Sequence, residues 1–104
     1  MRINPNAILT DLEGKPIQMV ENGPEATFAR VVIHSLNTPE QNDDGSKKWD
    51  KFVLCKKLHK AAEAGTCVDV TVEEAALIKQ SIGKNFVPIV VGAVYEVIEG
   101  APHE

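Results

Sequence analysis

Short apolar runs separated by turn residues open the chain. Ala7-Ile8-Leu9-Thr10 and Pro16-Ile17-Gln18-Met19-Val20 flank Asp11-Leu12-Glu13-Gly14-Lys15, a pattern that predicts a β-hairpin turning at Gly14, which is free to take positive φ. Pro16 lacks an N–H and suits the start or edge of the second strand. Asn22-Gly23-Pro24 breaks the pattern, and Pro24 stands where a first helical residue would. Over residues 25–36, Phe28, Ala29, Val32, Ile33 and Leu36 wind to one side of a helix and leave Thr27, Arg30 and His34 as a narrow polar stripe.

Residues 37–45 (NTPEQNDDG) are polar, acidic and rich in turn formers, and are expected to form a mobile loop. A second helix is expected over 48–64, ended by Gly65. Its faces change along its length. In the second half Leu54, Cys55, Leu58, Ala61 and Ala62 share one side, and Lys56, Lys57 and Lys60 share the other. In the first half Trp49, Phe52 and Val53 lie on the Lys56/Lys60 side, with Lys47, Lys48 and Lys51 over the apolar one. The helix therefore either begins near Asp50 or meets something different at its start.

Thr66 to Val70 reads as a short strand that would add to the hairpin as a third. Thr71-Val72-Glu73-Glu74 has the spacing of a capping box, opening a helix that runs to Ile82, stops at Gly83 and turns Val72, Ala75, Ile78 and Ile82 inward. Pro88 to Glu99 is rich in Val and Ile. A helix nevertheless gathers Gly92, Glu96 and Glu99 onto one stripe, which strand alternation would not. That helix is apolar over most of its circumference, so it is expected either at the centre of the core or against another subunit. The expected fold class is α+β: one domain with an N-terminal β-hairpin, four helices near 25–36, 48–64, 72–82 and 88–99, and a short strand near 66–70.

At 104 residues, with 43% hydrophobic and 25% charged positions, the chain is sized for one modest core. No apolar run approaches the length of a membrane span and the start lacks the character of a signal peptide, so a cytoplasmic location is expected. Two cysteines, Cys55 and Cys67, are too few for a disulfide scaffold and are expected to be reduced. The net charge of −4 argues against a general nucleic-acid binder. It is unevenly spread, however: residues 47–68 carry a formal +4 and the remainder −8, an asymmetry to be met within the fold, between subunits or by an anionic partner.

Few constellations carry chemistry. Cys55 and His59 are one helical turn apart and would need Cys67 with His34 or Asp69 to complete a metal site. Their spacing matches no zinc motif, a buried cysteine beside a surface histidine is the commoner arrangement, and no metal or cofactor is expected. His34 shares its stripe with Arg30, but no nucleophile motif, phosphate loop or H-E-x-x-H helix accompanies it, and catalysis is not expected. Lys47, Lys48, Lys51, Lys56, Lys57 and Lys60 are candidate anion or nucleic-acid contacts, set on two helix sides with little aromatic interleaving. Trp49 and Phe52, together with Val90, Val94, Tyr95 and Ile98 of the last helix, are the candidate protein-interaction residues.

ILTDLEGKPI (Ile8 to Ile17) and TVEEAALIKQSIGKNFVPIVVGAVYEVIEG (Thr71 to Gly100) resemble a group of short proteins encoded in tailed-bacteriophage and prophage genomes. That group has a D-L-x-G-K-P-I hairpin, a T-x-E-E-x-x-x-I-K helix and a closing P-[ILV]-V-[VI]-G…E-x-[IL]-E-G helix. The resemblance covers some 40 of the 104 residues. It implies a phage accessory or assembly protein and carries over no catalytic or binding residue. The expectation is a non-catalytic, homo-oligomeric protein-interaction module, and the alternative is a nucleic-acid or transcription-machinery binder acting through the lysine-rich helix.

Overall fold

In the computed structural model, which describes residues 1–18, 23, 25–38 and 44–100, the chain is α+β. A two-residue strand β1 (Arg2–Ile3) precedes helices α1 (Phe28–Leu36) and α2 (Gly45–Ala64), then come strand β2 (Val68–Asp69) and helices α3 (Val72–Asn85) and α4 (Pro88–Glu99). The strand expected at 66–70 is thus present, but its antiparallel partner is β1, through Arg2↔Asp69 and Ile3↔Val68, and not the hairpin. The pairing is favoured because Ile3 and Val68 both turn into the core.

The hairpin turns where expected. Gly14 has φ +80°, and the Asp11 carboxylate accepts from the Glu13 and Lys15 N–H groups, a local geometry that short acidic side chains favour. Isolated antiparallel bridges Thr10↔Pro16, Gln18↔Glu25 and Ile8↔Thr27 join three extended segments. Their inner hydrogen bonds form a ring: Leu9 N–H donates to Ala26 O at 2.9 Å, Ala26 N–H to Ile17 O at 2.7 Å, and Ile17 N–H to Leu9 O at 2.9 Å. The far end of the predicted second strand, Met19-Val20, lies outside the described residues, as does Pro24.

This ring explains why α1 starts at Phe28 and not near residue 25. Glu25 and Ala26 are committed to extended pairing. The first free N–H groups of the helix are met from outside it: Phe28 N–H donates to Ala7 O and Ala29 N–H to Pro5 O, both at 2.9 Å, while Thr27 Oγ1 accepts from Arg30 N–H. A helix end with its donors satisfied in this way is stable where a bare one is not. Phe28, Ala29, Val31, Val32, Ser35 and Leu36 are buried, and Arg30 and His34 face outward.

α2 opens on Asp44, whose carboxylate accepts from Lys47 N–H at 2.8 Å, and ends on Gly65 at φ +69° with paired bonds to Ala61 and Ala62. Asn37 and Thr38 close α1 and Asp44 caps α2, while residues 39–43 of the expected loop lie outside the described residues. α3 has the capping box read from its sequence, with Glu74 N–H to Thr71 Oγ1 and Thr71 N–H to Glu74 Oε1. It passes through Gly83 and ends at Asn85. Ala75, Ile78 and Ile82 are buried, but Val72 at the first turn is 74% exposed and does not belong to the inward stripe.

α4 packs against α3. Ala93, Val94 and Ile98 are buried and Val90, Val91 and Val97 are partly covered, while Ile89 and the preceding Val87 are exposed. Tyr95 hydroxyl donates to the Lys79 carbonyl at 3.1 Å, and Lys79 lies over the Tyr95 ring and pairs with Glu99. Val94 and Ile98, expected at a subunit interface, are therefore core residues of their own chain, and Tyr95 is engaged in holding α4 to α3. At positions this close-packed, Val94→Glu would bury an unpaired carboxylate and is expected to cost more than about 4 kcal/mol. Ile89→Glu, on the open side, should stay within about 0.5 kcal/mol of the parent; urea unfolding followed by circular dichroism compares the two.

Candidate binding groove between α2 and α3

α1 packs against both α2 and α3, which diverge from one another and leave a groove of about 620 Å³. Lys57 and Glu74 join its two walls, Nζ to Oε1 at 2.9 Å. Along α2 the wall runs from Leu54 back to Lys47, and along α3 from Glu73 to Lys84. Val53, Leu54 and Leu77 contribute apolar surface, and Trp49 forms a lip. Polar groups reach the same space from both walls, Asp50 and Lys51 from α2 and Glu73, Gln80 and Lys84 from α3.

The outer side of α2 continues this surface. Trp49 is 63% exposed, Phe52 55% and Val53 45%, and the Trp49 and Phe52 ring centroids are 5.7 Å apart. The polarity conflict read from the sequence is thus real, for the helix does not begin late at Asp50 but extends back to Gly45 with its aromatic side open. The six lysines divide accordingly. Lys51 is buried, only 4% exposed. Lys57 is occupied by Glu74. Lys47, Lys48, Lys56 and Lys60 are exposed, and none of their ammonium groups meets a carboxylate among the described residues.

Where α3 crosses α1, Ser35 and Ser81 hydroxyls meet at 2.7 Å in the interior. Asn85 Nδ2 donates to both hydroxyl oxygens and to the Ser35 carbonyl. Ser81 also borders the groove, so the hydroxyl nearest the cleft is already engaged. His34 stands apart, its ring edge-on to Phe86 at 6.1 Å. Cys55 is buried, and that burial pushes its thiol up from the ordinary value, away from the reactive thiolate. His59 pairs with Glu63 across the exposed surface, and Cys67 is exposed elsewhere. Among the described residues no group of three or more His, Cys, Asp or Glu is placed to hold a metal ion, and no helix is long and apolar enough to cross a membrane.

The α3 wall of the groove was missed in the sequence. Glu74 reads from the sequence only as half of a capping box, and Leu77 and Gln80 carry no signal, because nothing local announces that two successive helices will leave space between them. No family model, curated protein or solved structure matches this chain.

Glu74 shows how the closed end of the groove is held. Burial raises its carboxyl, but the Thr71 backbone donor, the hydrogen bond and charge of Lys57, and the Thr71 hydroxyl together outweigh burial and leave it below the usual 4.5. The ionised form therefore stabilises the fold above that value, and the contribution is lost as pH falls through the depressed folded value. Glu74→Gln keeps a cap acceptor and loses the ion pair. It should cost about 1 kcal/mol at neutral pH in this partly screened setting, and the gap from the parent should close on acidification below the usual glutamate range, as read by urea unfolding at a series of pH values.

Proposed function

We propose that this chain is a non-catalytic protein-interaction module whose working surface is the α2–α3 groove with its aromatic lip. The observation that carries the reading is that Trp49, Phe52 and Val53 stand open together on α2, and that Trp49 and Val53 also line the cleft with Leu54 and Leu77. Monomeric proteins seldom leave Trp and Phe side by side and open to water, and such residues are the commonest anchors of protein interfaces. The self-association expected through α4 loses its main support, since Val94 and Ile98 lie in the chain's own core. The proposed setting, an accessory protein of a tailed phage or prophage acting in the cytoplasm of its bacterial host, rests on the sequence resemblance alone.

A second reading, nucleic-acid binding, is favoured by one arrangement: four exposed lysines stand on the helix that carries the two exposed rings. Against it, Asp50 and Glu73 border the same groove and would face phosphate. Retention on immobilised DNA at about 50 mM salt that weakens steeply with added salt would support it, and no retention would remove it.

The first reading is tested by placing a photo-crosslinking phenylalanine analogue at Phe52 and, separately, at Glu96 on the outer side of α4, in a bacterial host. Protein adducts should form from position 52, not from 96, and should disappear with Trp49→Ala. Equal adducts from both positions, or adducts to nucleic acid alone, would overturn the reading.

A further inference from the structure

From the exposed lysines that α2 carries beside the groove we infer its occupant: an acidic amphipathic helix of a different protein, with its apolar side between α2 and α3 and its carboxylates on those lysines. The inference rests on the interaction reading above and adds the chemistry of the partner.

The first observation is uncompensated charge. α2 carries six lysines against Asp50 and Glu63. Glu63 is engaged by His59 and Lys57 by Glu74, leaving Lys47, Lys48, Lys56 and Lys60 exposed with no carboxylate partner among the described residues. Lys56 and Lys60 follow Trp49 and Phe52 along the same side of the helix, at spacings of one to three turns. Any surface that covers the aromatic residues must therefore meet these ammonium groups as well.

Charge also sorts the possible occupants. A second copy that set its own α2 against this one would turn lysine rows toward each other, at the cost that like charges across an interface carry. Phosphate would meet Asp50 and Glu73 at the walls of the cleft. A lipid surface fits a convex apolar face, whereas Val53, Leu54 and Leu77 border a concave one. A helix suits the concavity, because ridges of side chains fill the space between two diverging helices. From Lys47 to Leu54 the α2 wall is about 10 Å long at the helical rise, room for about two turns of a partner helix.

Trp49 is the only tryptophan in the chain and reports directly on occupation of the groove. The probes are two helical peptides with leucines at i, i+3, i+4 and i+7 and no aromatic residue, one with glutamates flanking the leucines and one with lysines. A single-stranded oligothymidylate and vesicles of mixed phosphatidylglycerol and phosphatidylcholine complete the set. The glutamate peptide should shift Trp49 emission to the blue and saturate, with an affinity at least about ten-fold above that of the lysine peptide at low salt. Lys48→Glu/Lys56→Glu/Lys60→Glu, all at exposed positions and checked for folding by circular dichroism, should reverse the preference. Equal binding of both peptides would overturn the acidic partner and leave the interaction groove standing. So would failure of both peptides with a concentration-dependent dimer in light scattering that Trp49→Ala dissociates, since a second copy would then be the occupant. Saturation by the oligothymidylate or vesicles alone, or no response to any probe from a monomeric protein, would overturn both the inference and the reading beneath it.

Discussion

α1 has nine residues and gives six of them to the interior, so everything else must be arranged around a rod about 13 Å long. Such a helix has little stability of its own. It holds because the extended segments before it supply acceptors for its first N–H groups and because α2 and α3 cover its two sides. The Ser35–Ser81 hydroxyl contact then restricts how α3 can lie on it. A buried hydroxyl deprived of its partner would be costly, so sliding α3 along α1 would break the Ser35–Ser81 contact and both bonds from Asn85 to Ser35 at once. α2 and α3 both rest on this short helix and leave the groove between them.

The stability of the fold and the openness of the groove thus have a common origin. Leu54 and Leu58 of α2 and Ile78 and Ile82 of α3 are buried, while the first turns of α2 reach beyond the core with Trp49, Phe52 and Val53 uncovered. Lys51 belongs to the buried side of that overhang, its long alkyl stem lying where an apolar residue would normally sit. One continuous helix therefore serves the core with its second half and the surroundings with its first.

Local chemistry made much of this legible beforehand. The Thr71–Glu74 box, the αL position of Gly65 and Pro88 at a helix start each act within a few residues, and α2, α3 and α4 stand close to where those signals put them. Longer-range pairing overrides such local signals at other points. Glu25 and Ala26 follow a proline and read as helix, yet their backbone is claimed by Gln18 and Ile17 across the ring. Gly83 reads as a stop, but α3 continues to Asn85, whose amide has partners on α1. In α4 the apolar circumference was visible, though not which part would face inward, because that choice is made by α3. Trp49 and Phe52 were noticed through the reversal of polarity along α2, whereas the opposite wall of the groove required the positions of two helices to be known together.

The ring formed by Leu9, Ile17 and Ala26 bears on how the protein behaves when crowded. Among the described residues each of its three extended segments is paired with both of the others, which leaves little open backbone there for a neighbouring strand. The remaining ladder, β1 with β2, is only two residues long on each side. Extended structure that closes on itself in this way offers fibrillar growth little template, and neighbouring molecules meet these segments through side chains more than through backbone.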